Sequence, residues 1–152
     1  MKPDSEEYLN HLDHSIKEIG RNGFQQEVSD GFSSKAGGLF DLVYHTQDSR
    51  NSPKGFPDTQ VPIPPSFWFL NSPPPLLVIE LKVRDNKPSE DQLAWLRALR
   101  ANGAWTFCLW PRHRLALREM YNANWGHHEI QKRLHVYTRR GLAYPFGPAD
   151  GN

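Results

Sequence analysis

A chain of 152 residues with 38 % hydrophobic and 23 % charged side chains suits one folded domain with a sizeable core, and excludes a chain disordered throughout. A single cysteine, Cys108, excludes an internal disulfide and a cysteine-rich zinc site, and fits a reducing, cytoplasmic setting. The opening "MKPDSEEYLN" is acidic and polar, unlike a secretory signal, and no apolar run reaches membrane-spanning length.

Taken in chain order, residues 5–20 predict an amphipathic helix, with Tyr8, Leu9, Leu12, Ile16 and Ile19 at helical spacing and Gly20 as its stop. A weaker helix follows over "FQQEVSDGFSSKA", ended by Gly37 and Gly38. "LFDLVYHT" has strand composition, "QDSRNSPKGFPD" is rich in turn residues, and "TQVPIPP" is a strand running into proline. The loop "SFWFLNSPPP" leads to the strand "LLVIELKV". Ser89 then caps the helix "EDQLAWLRALRAN", with Gln92 as a capping-box partner and Gly103 as the stop. "AWTFCLWP" is a further strand and "HRLALREMYNANW" a last helix, before a tail rich in glycine and proline. The order ααβββαβα predicts an α/β fold, a mixed central sheet flanked by helices.

Charge is distributed unevenly. The net charge is only +1, yet residues 1–92 carry 9 Lys/Arg against 14 Asp/Glu, and residues 93–152 carry 9 against 3. An acidic half beside a basic half is the footprint expected of a carboxylate metal site next to a polyanion-binding surface, although two unrelated solvated faces give the same count.

The strand "LLVIELKV" presents the chemical question. Side chains alternate along a strand, so Glu80 and Lys82 share one face of an otherwise apolar run, where an unpaired charge is costly. A carboxylate there can hold a divalent cation, the Leu81 carbonyl is a possible further oxygen ligand, and Lys82 can orient water or offset charge on a phosphate. Such a site takes one or two carboxylates, and Asp58 in "KGFPD" is the second on offer.

"GFPD" followed by "VIELK" resembles the signature of the PD-(D/E)XK nuclease superfamily. With "SEDQLAWLRALRANGAWTFCLWP" after it, the stretch over roughly residues 21–120 resembles the VRR-NUC branch, small nuclease domains of phages and bacteria similar to Holliday-junction resolvases. The resemblance implies a restriction-endonuclease-like core over residues 21–125, flanked by a helical extension over 1–20 and a C-terminal extension over 126–152. It implies Mg²⁺ or Mn²⁺ held by Asp58, Glu80 and the Leu81 carbonyl, with Lys82 as catalytic lysine and Gln92 in support. It further implies hydrolysis of phosphodiester bonds in duplex, branched or flapped DNA, by a homodimer; no membrane partner is expected, since no apolar run is long enough to span one.

The chain departs from the family pattern in two places. Arg21 stands where a helix glutamate is usual, which leaves Glu27 or Glu18 to supply that carboxylate, and the segment between Asp58 and Glu80 is long. Arg50, Lys54, Arg97, Arg100, Arg112 and Arg114 are the expected phosphate contacts as a group. A non-catalytic DNA-binding or scaffold domain on the same fold is the competing expectation.

Overall fold

The computed structural model describes residues 5–45, 54–64 and 74–125, together with Ile130 and Leu134. Helix α1 (Glu6–Asp13) starts at Ser5, whose hydroxyl accepts the Tyr8 N–H at 3.2 Å, with Glu6 and Glu7 favourably placed in its first turn. It stops well short of Gly20. The Asp13 carbonyl, which would have received a helical hydrogen bond from Lys17, instead accepts the Arg84 N–H at 2.7 Å. Residues 14–23 turn through Gly20 (φ +92°) and Asn22 (φ +62°), leaving Ile19 65 % exposed rather than on a helix face.

That turn delivers the chain to α2 (Phe24–Phe32) and satisfies its first donors: Phe24 N–H meets the Lys17 carbonyl at 2.8 Å and Gln25 N–H meets Glu18 at 3.0 Å. Phe24, Val28 and Phe32, at helical spacing, are fully buried. The expected continuation through Ala36 is a separate 3-10 turn, Ser34–Ala36, closed by Gly37 at φ +94°. The strand expected over "LFDLVYHT" is reduced to β1 (Tyr44–His45). Phe40 is drawn back against α2, its N–H donating to the Phe32 carbonyl at 2.9 Å, so Asp41 and Leu42 are left exposed.

Strands β2 (Thr59–Pro62), β3 (Leu76–Leu81) and β4 (Trp105–Leu109) complete a sheet of order β1-β2-β3-β4, with β1/β2 and β2/β3 antiparallel and β3/β4 parallel. A parallel pair needs a crossover, and α3 (Glu90–Ala101) supplies it. Helix α4 (Arg114–Tyr121) follows a 3-10 turn at Pro111–His113. The fold is thus a mixed α/β sheet flanked by helices, in the element order expected from the sequence.

The two faces of the sheet are covered differently. Leu77, Ile79, Leu81, Phe107 and Leu109 pack with α2, α4 and Trp125 in the larger apolar core, which also takes in Ile130 and Leu134. Val78, Cys108 and Trp110 pack under Leu96 and Leu99 of α3. Glu80, two residues from Val78, lies on the α3 side, so the strand period places a charged group inside that smaller core. Among the described residues no helix is long and apolar enough to cross a membrane.

Candidate functional site

Backbone geometry brings Asp58 to Glu80. The β2/β3 register pairs Thr59 with Ile79, and its continuation sets Asp58 opposite Glu80 and Pro57 opposite Leu81. The Lys82 N–H donates to Leu109 on the β4 side, at 2.9 Å, so the Leu81 peptide groups face β2. There Leu81 N–H donates to Asp58 Oδ2 at 2.9 Å. Proline has no N–H, so the Leu81 carbonyl has no ladder donor opposite it.

The turn that carries Asp58 is clamped onto α3. Gly55, at φ +83°, lies so close to the helix that an added Cβ would sit 2.5 Å from the Asp91 carbonyl carbon. The Trp95 indole donates to the Lys54 carbonyl at 3.1 Å, and Phe56 meets the Trp95 ring edge-on, with centroids 5.3 Å apart. The same helix therefore positions Asp58 from one side and Gln92 from the other.

Gln92 does two things. Its N–H and side-chain carbonyl complete the capping box with Ser89, at 3.1 and 2.8 Å. Its amide nitrogen donates to Glu80 Oε1 at 3.0 Å. Lys82 Nζ stands 3.7 Å from that same oxygen, with its side chain only 12 % exposed. Glu80 Oε2 is sealed from solvent and meets no donor among the described residues. The Asp58 carboxyl lies within hydrogen-bonding reach of Glu80, but two ionised carboxylates offer only acceptors to each other.

These surroundings disfavour negative charge. Burial above all, then the Asp58 charge, pushes the Glu80 carboxyl up to about 10, against the pull of Lys82. Burial raises Asp58 as well, opposed by its hydrogen bonds and by Lys82. Burial also raises Glu18, which feels Lys82 and Asp58. Three carboxyl groups thus share the field of one ammonium group, an arrangement that stabilises the fold poorly and is typical of functional sites.

Glu18 therefore reaches this field, and Glu27 does not. Glu27 is engaged by Arg114 in a two-pronged pair, at 2.9 and 3.0 Å, linking α2 to α4. Glu18 is held near the site by its backbone, whose carbonyl caps α2. Among the described residues, no three His, Cys, Asp or Glu side chains are gathered into a ready-made metal cage. The donor set nevertheless fits a hard divalent cation, which takes oxygen ligands and keeps several waters. Asp58, Glu80 with its orphaned Oε2, and the Leu81 carbonyl are the oxygens on offer.

One of the expected phosphate contacts is corrected. The Arg112 side chain is fully buried: its Nε pairs with Asp13 at 2.7 Å and its Nη2 with Glu6 at 3.2 Å. It locks α1 to the turn after β4 and cannot reach a polyanion. Arg114, its side chain 33 % exposed, pairs with Glu27. Arg97 is exposed on α3, Arg100 is half-buried there, and Lys54 is solvent-facing while paired with Asp91 at 3.3 Å. Arg50 and most of the proline-rich insertion lie outside the described residues.

Sequence reasoning missed the cleft beside this site, lined by Asn22, Gln25, Gln26 and His45 among others. The adjacent polar residues of "RNGFQQ" are its signal, legible only once the turn at Gly20–Gly23 is known. No family model, no curated protein and no solved structure matches this chain.

Proposed function

We propose that the protein is a Mg²⁺- or Mn²⁺-dependent DNA endonuclease with a PD-(D/E)XK core of the VRR-NUC type, acting on branched or flapped DNA. One observation carries the reading: an acid pair, half-buried Asp58 and buried Glu80, at a strand end with Lys82 3.7 Å away and Gln92 3.0 Å away on the same Glu80 oxygen. Packing alone gives no reason to keep three ionisable groups around the end of a core strand, since apolar side chains of similar volume are as stable or more so.

A divalent cation, when bound, supplies Lewis acidity and a more acidic water. Asp58, Glu80 and the Leu81 carbonyl would hold it. Gln92 fixes the Glu80 rotamer by donating to one carboxylate oxygen, leaving the other available. Lys82 sits where its ammonium group can donate to an attacking water or a phosphate oxygen and offset the charge that builds there. Glu18 would add a third carboxyl in the field of Lys82 and Asp58. Exposed Arg97 and Lys54 offer backbone contacts that read no sequence, so binding should weaken as salt rises.

The test is cleavage. Purified protein is incubated with Mg²⁺ or Mn²⁺ and a panel of duplex, flap and four-way DNA, beside Asp58→Ala and Lys82→Ala. Cutting by wild type that both substitutions abolish supports the proposal. Equal cutting by the variants overturns it, and DNA binding without any cutting favours a non-catalytic scaffold on the same fold.

A further inference from the structure

The turn between α1 and α2 does more than bring Glu18 to the carboxylates. Between this turn, the start of α2 and strand β1 opens a cleft of about 440 Å³, lined by Ile19, Arg21, Asn22, Gln25, Gln26 and His45. That volume falls within the range of small-ligand pockets. The cleft adjoins the acid site on two sides. Ile19 follows Glu18 in the chain, and the His45 ring is close enough to Asp58 to act on its charge.

The lining is unusual in being rich in unspent polar groups. Gln25 is only 7 % exposed, yet its side-chain amide makes no hydrogen bond among the described residues, and its accessible atoms face the cleft. His45 Nδ1 is buried and has no partner among the described residues. Gln26 gives its amide hydrogen to Asp30 at 2.8 Å, which leaves its carbonyl oxygen as an acceptor. Backbone donors do not account for the opening, because the first N–H groups of α2 are already taken by Lys17 and Glu18. The Gln25 amide thus reaches the cleft with its hydrogen bonds unspent, and the cost of burying a polar atom unpaired, about 1–3 kcal/mol, falls on His45 Nδ1.

The chemistry of the lining selects the ligand. Side-chain amides pair with the mixed donor and acceptor edges of nucleobases. Ile19, 65 % exposed, supplies an apolar surface, and Arg21, exposed at the rim, supplies a cation for phosphate. We propose that this cleft is a nucleotide pocket. It takes one nucleoside of the strand whose neighbouring phosphodiester lies at Asp58 and Glu80, with Gln25 and Asn22 on the base edge, His45 beside the sugar and Arg21 on the outer phosphate. The inference rests on the nuclease reading and deepens it: the preferred substrate has a base free to leave the stack near the cut, as at a flap, a bulge or a junction.

The probes are the four deoxynucleoside 5′-monophosphates, added to the full chain in EDTA so that no metal-dependent cutting intervenes. Binding is read from the side-chain amide cross-peaks of ¹⁵N-labelled protein. The Gln25 and Asn22 peaks should shift and saturate, to different extents for different bases. Gln25→Ala should weaken binding roughly tenfold and flatten the base preference. His45→Ala, which leaves the α2 start untouched, should weaken binding without changing that preference, and thermal melts confirm that both variants are folded. Amide peaks that stay still at saturating nucleotide overturn the pocket, whatever the cleavage assay shows. Shifting Gln25 peaks in a protein that cuts no DNA support the pocket and overturn the nuclease reading instead.

Discussion

Gln92 donates from its amide nitrogen to Glu80 Oε1 at 3.0 Å while its own carbonyl oxygen accepts the Ser89 N–H at 2.8 Å, so one side chain caps a helix and orients a buried acid. The two duties can be separated. Gln92→Glu keeps an acceptor for the capping box but replaces the donor to Glu80 with a further carboxylate. Gln92→Ala loses both. Loss of the donor should cost about 1–3 kcal/mol, and loss of the cap about 1 kcal/mol more in the alanine variant. Urea titrations of the two variants check this. Near-wild-type stability of Gln92→Glu would show that the Glu80 contact carries nothing.

The acid itself should be a burden on the fold. The Glu80 carboxyl sits at about 10 in the native state, against an ordinary value of 4.5 in the unfolded chain. Between those values the native state binds more protons than the unfolded one, so this group's stabilising contribution is complete below about pH 4.5 and falls away as pH rises. Glu80→Gln holds no such proton and keeps an acceptor for Gln92. It should match wild type in mild acid and be more stable at neutral pH, by about 3 kcal/mol, with the gap widening in alkali. Melting curves across that range are the measurement, and a constant gap contradicts the assignment to Glu80.

The same burden predicts the response to metal. A cation between Asp58 and Glu80 favours their ionised forms, so its binding releases protons and tightens as pH rises. Mg²⁺ or Mn²⁺ at about a hundred times its dissociation constant should stabilise the wild type by about 2.7 kcal/mol. Asp58→Asn retains an oxygen to accept the Leu81 N–H, so it should fold, yet show little of this gain. Calorimetry in two buffers of different ionisation enthalpy counts the protons released. Equal stabilisation of the variant would place the metal elsewhere.

What the sequence made legible, and what it did not, follows the range of the interactions involved. The β3–α3–β4 unit could be read because each of its signals is local: a buried apolar run, the Ser89–Gln92 box and Gly103 at the helix end. Asp58 could be named only as a carboxylate on offer; its place opposite Glu80 comes from the β2/β3 register, which the sequence did not state. The end of α1 could not be read, because the Asp13 carbonyl is diverted to Arg84, 71 positions away, and no periodicity encodes that. The partners of Arg112 and Arg114 could not be read for the same reason. A basic side chain in a basic segment looks solvated until its acid partner arrives from 99 or 87 residues earlier. The choice between Glu18 and Glu27 depended on the turn at Gly20–Gly23, which places a residue outside any helix at the rim of the acid pair.

Arg112 and Arg97 should therefore behave in opposite ways. Removing the Arg112 side chain takes the guanidinium from the fully buried Asp13 carboxylate, at a cost of about 3–5 kcal/mol. Arg112→Met combined with Asp13→Leu removes both charges and should recover much of that loss. Arg97→Ala touches an exposed position and should leave stability within about 0.5 kcal/mol of wild type. Its effect should instead appear in DNA affinity, with a shallower dependence on salt. Thermal melts and salt-dependent anisotropy separate the two. Arg112→Met with normal stability would contradict the buried pair.

The last prediction concerns the clamp between the Asp58 turn and α3. Gly55 holds φ +83°, and a Cβ there would meet the Asp91 backbone at 2.5 Å. Gly55→Ala therefore suffers twice, from the left-handed backbone and from contact with a helix that cannot yield locally. The turn should lift from α3, breaking the Trp95 bond to the Lys54 carbonyl and moving Asp58 away from Glu80. Gly37→Ala is the control, since that residue has a similar φ, +94°, and no atom of the described residues within 4 Å of an added Cβ. Both should lose about 1 kcal/mol to backbone strain. Only Gly55→Ala should also lose metal-induced stabilisation and lower the native pKa of Glu80 by separating it from Asp58. An NMR titration of the Glu80 carboxyl in both variants decides the matter. An unchanged titration in Gly55→Ala would mean that α3 does not hold Asp58 in place.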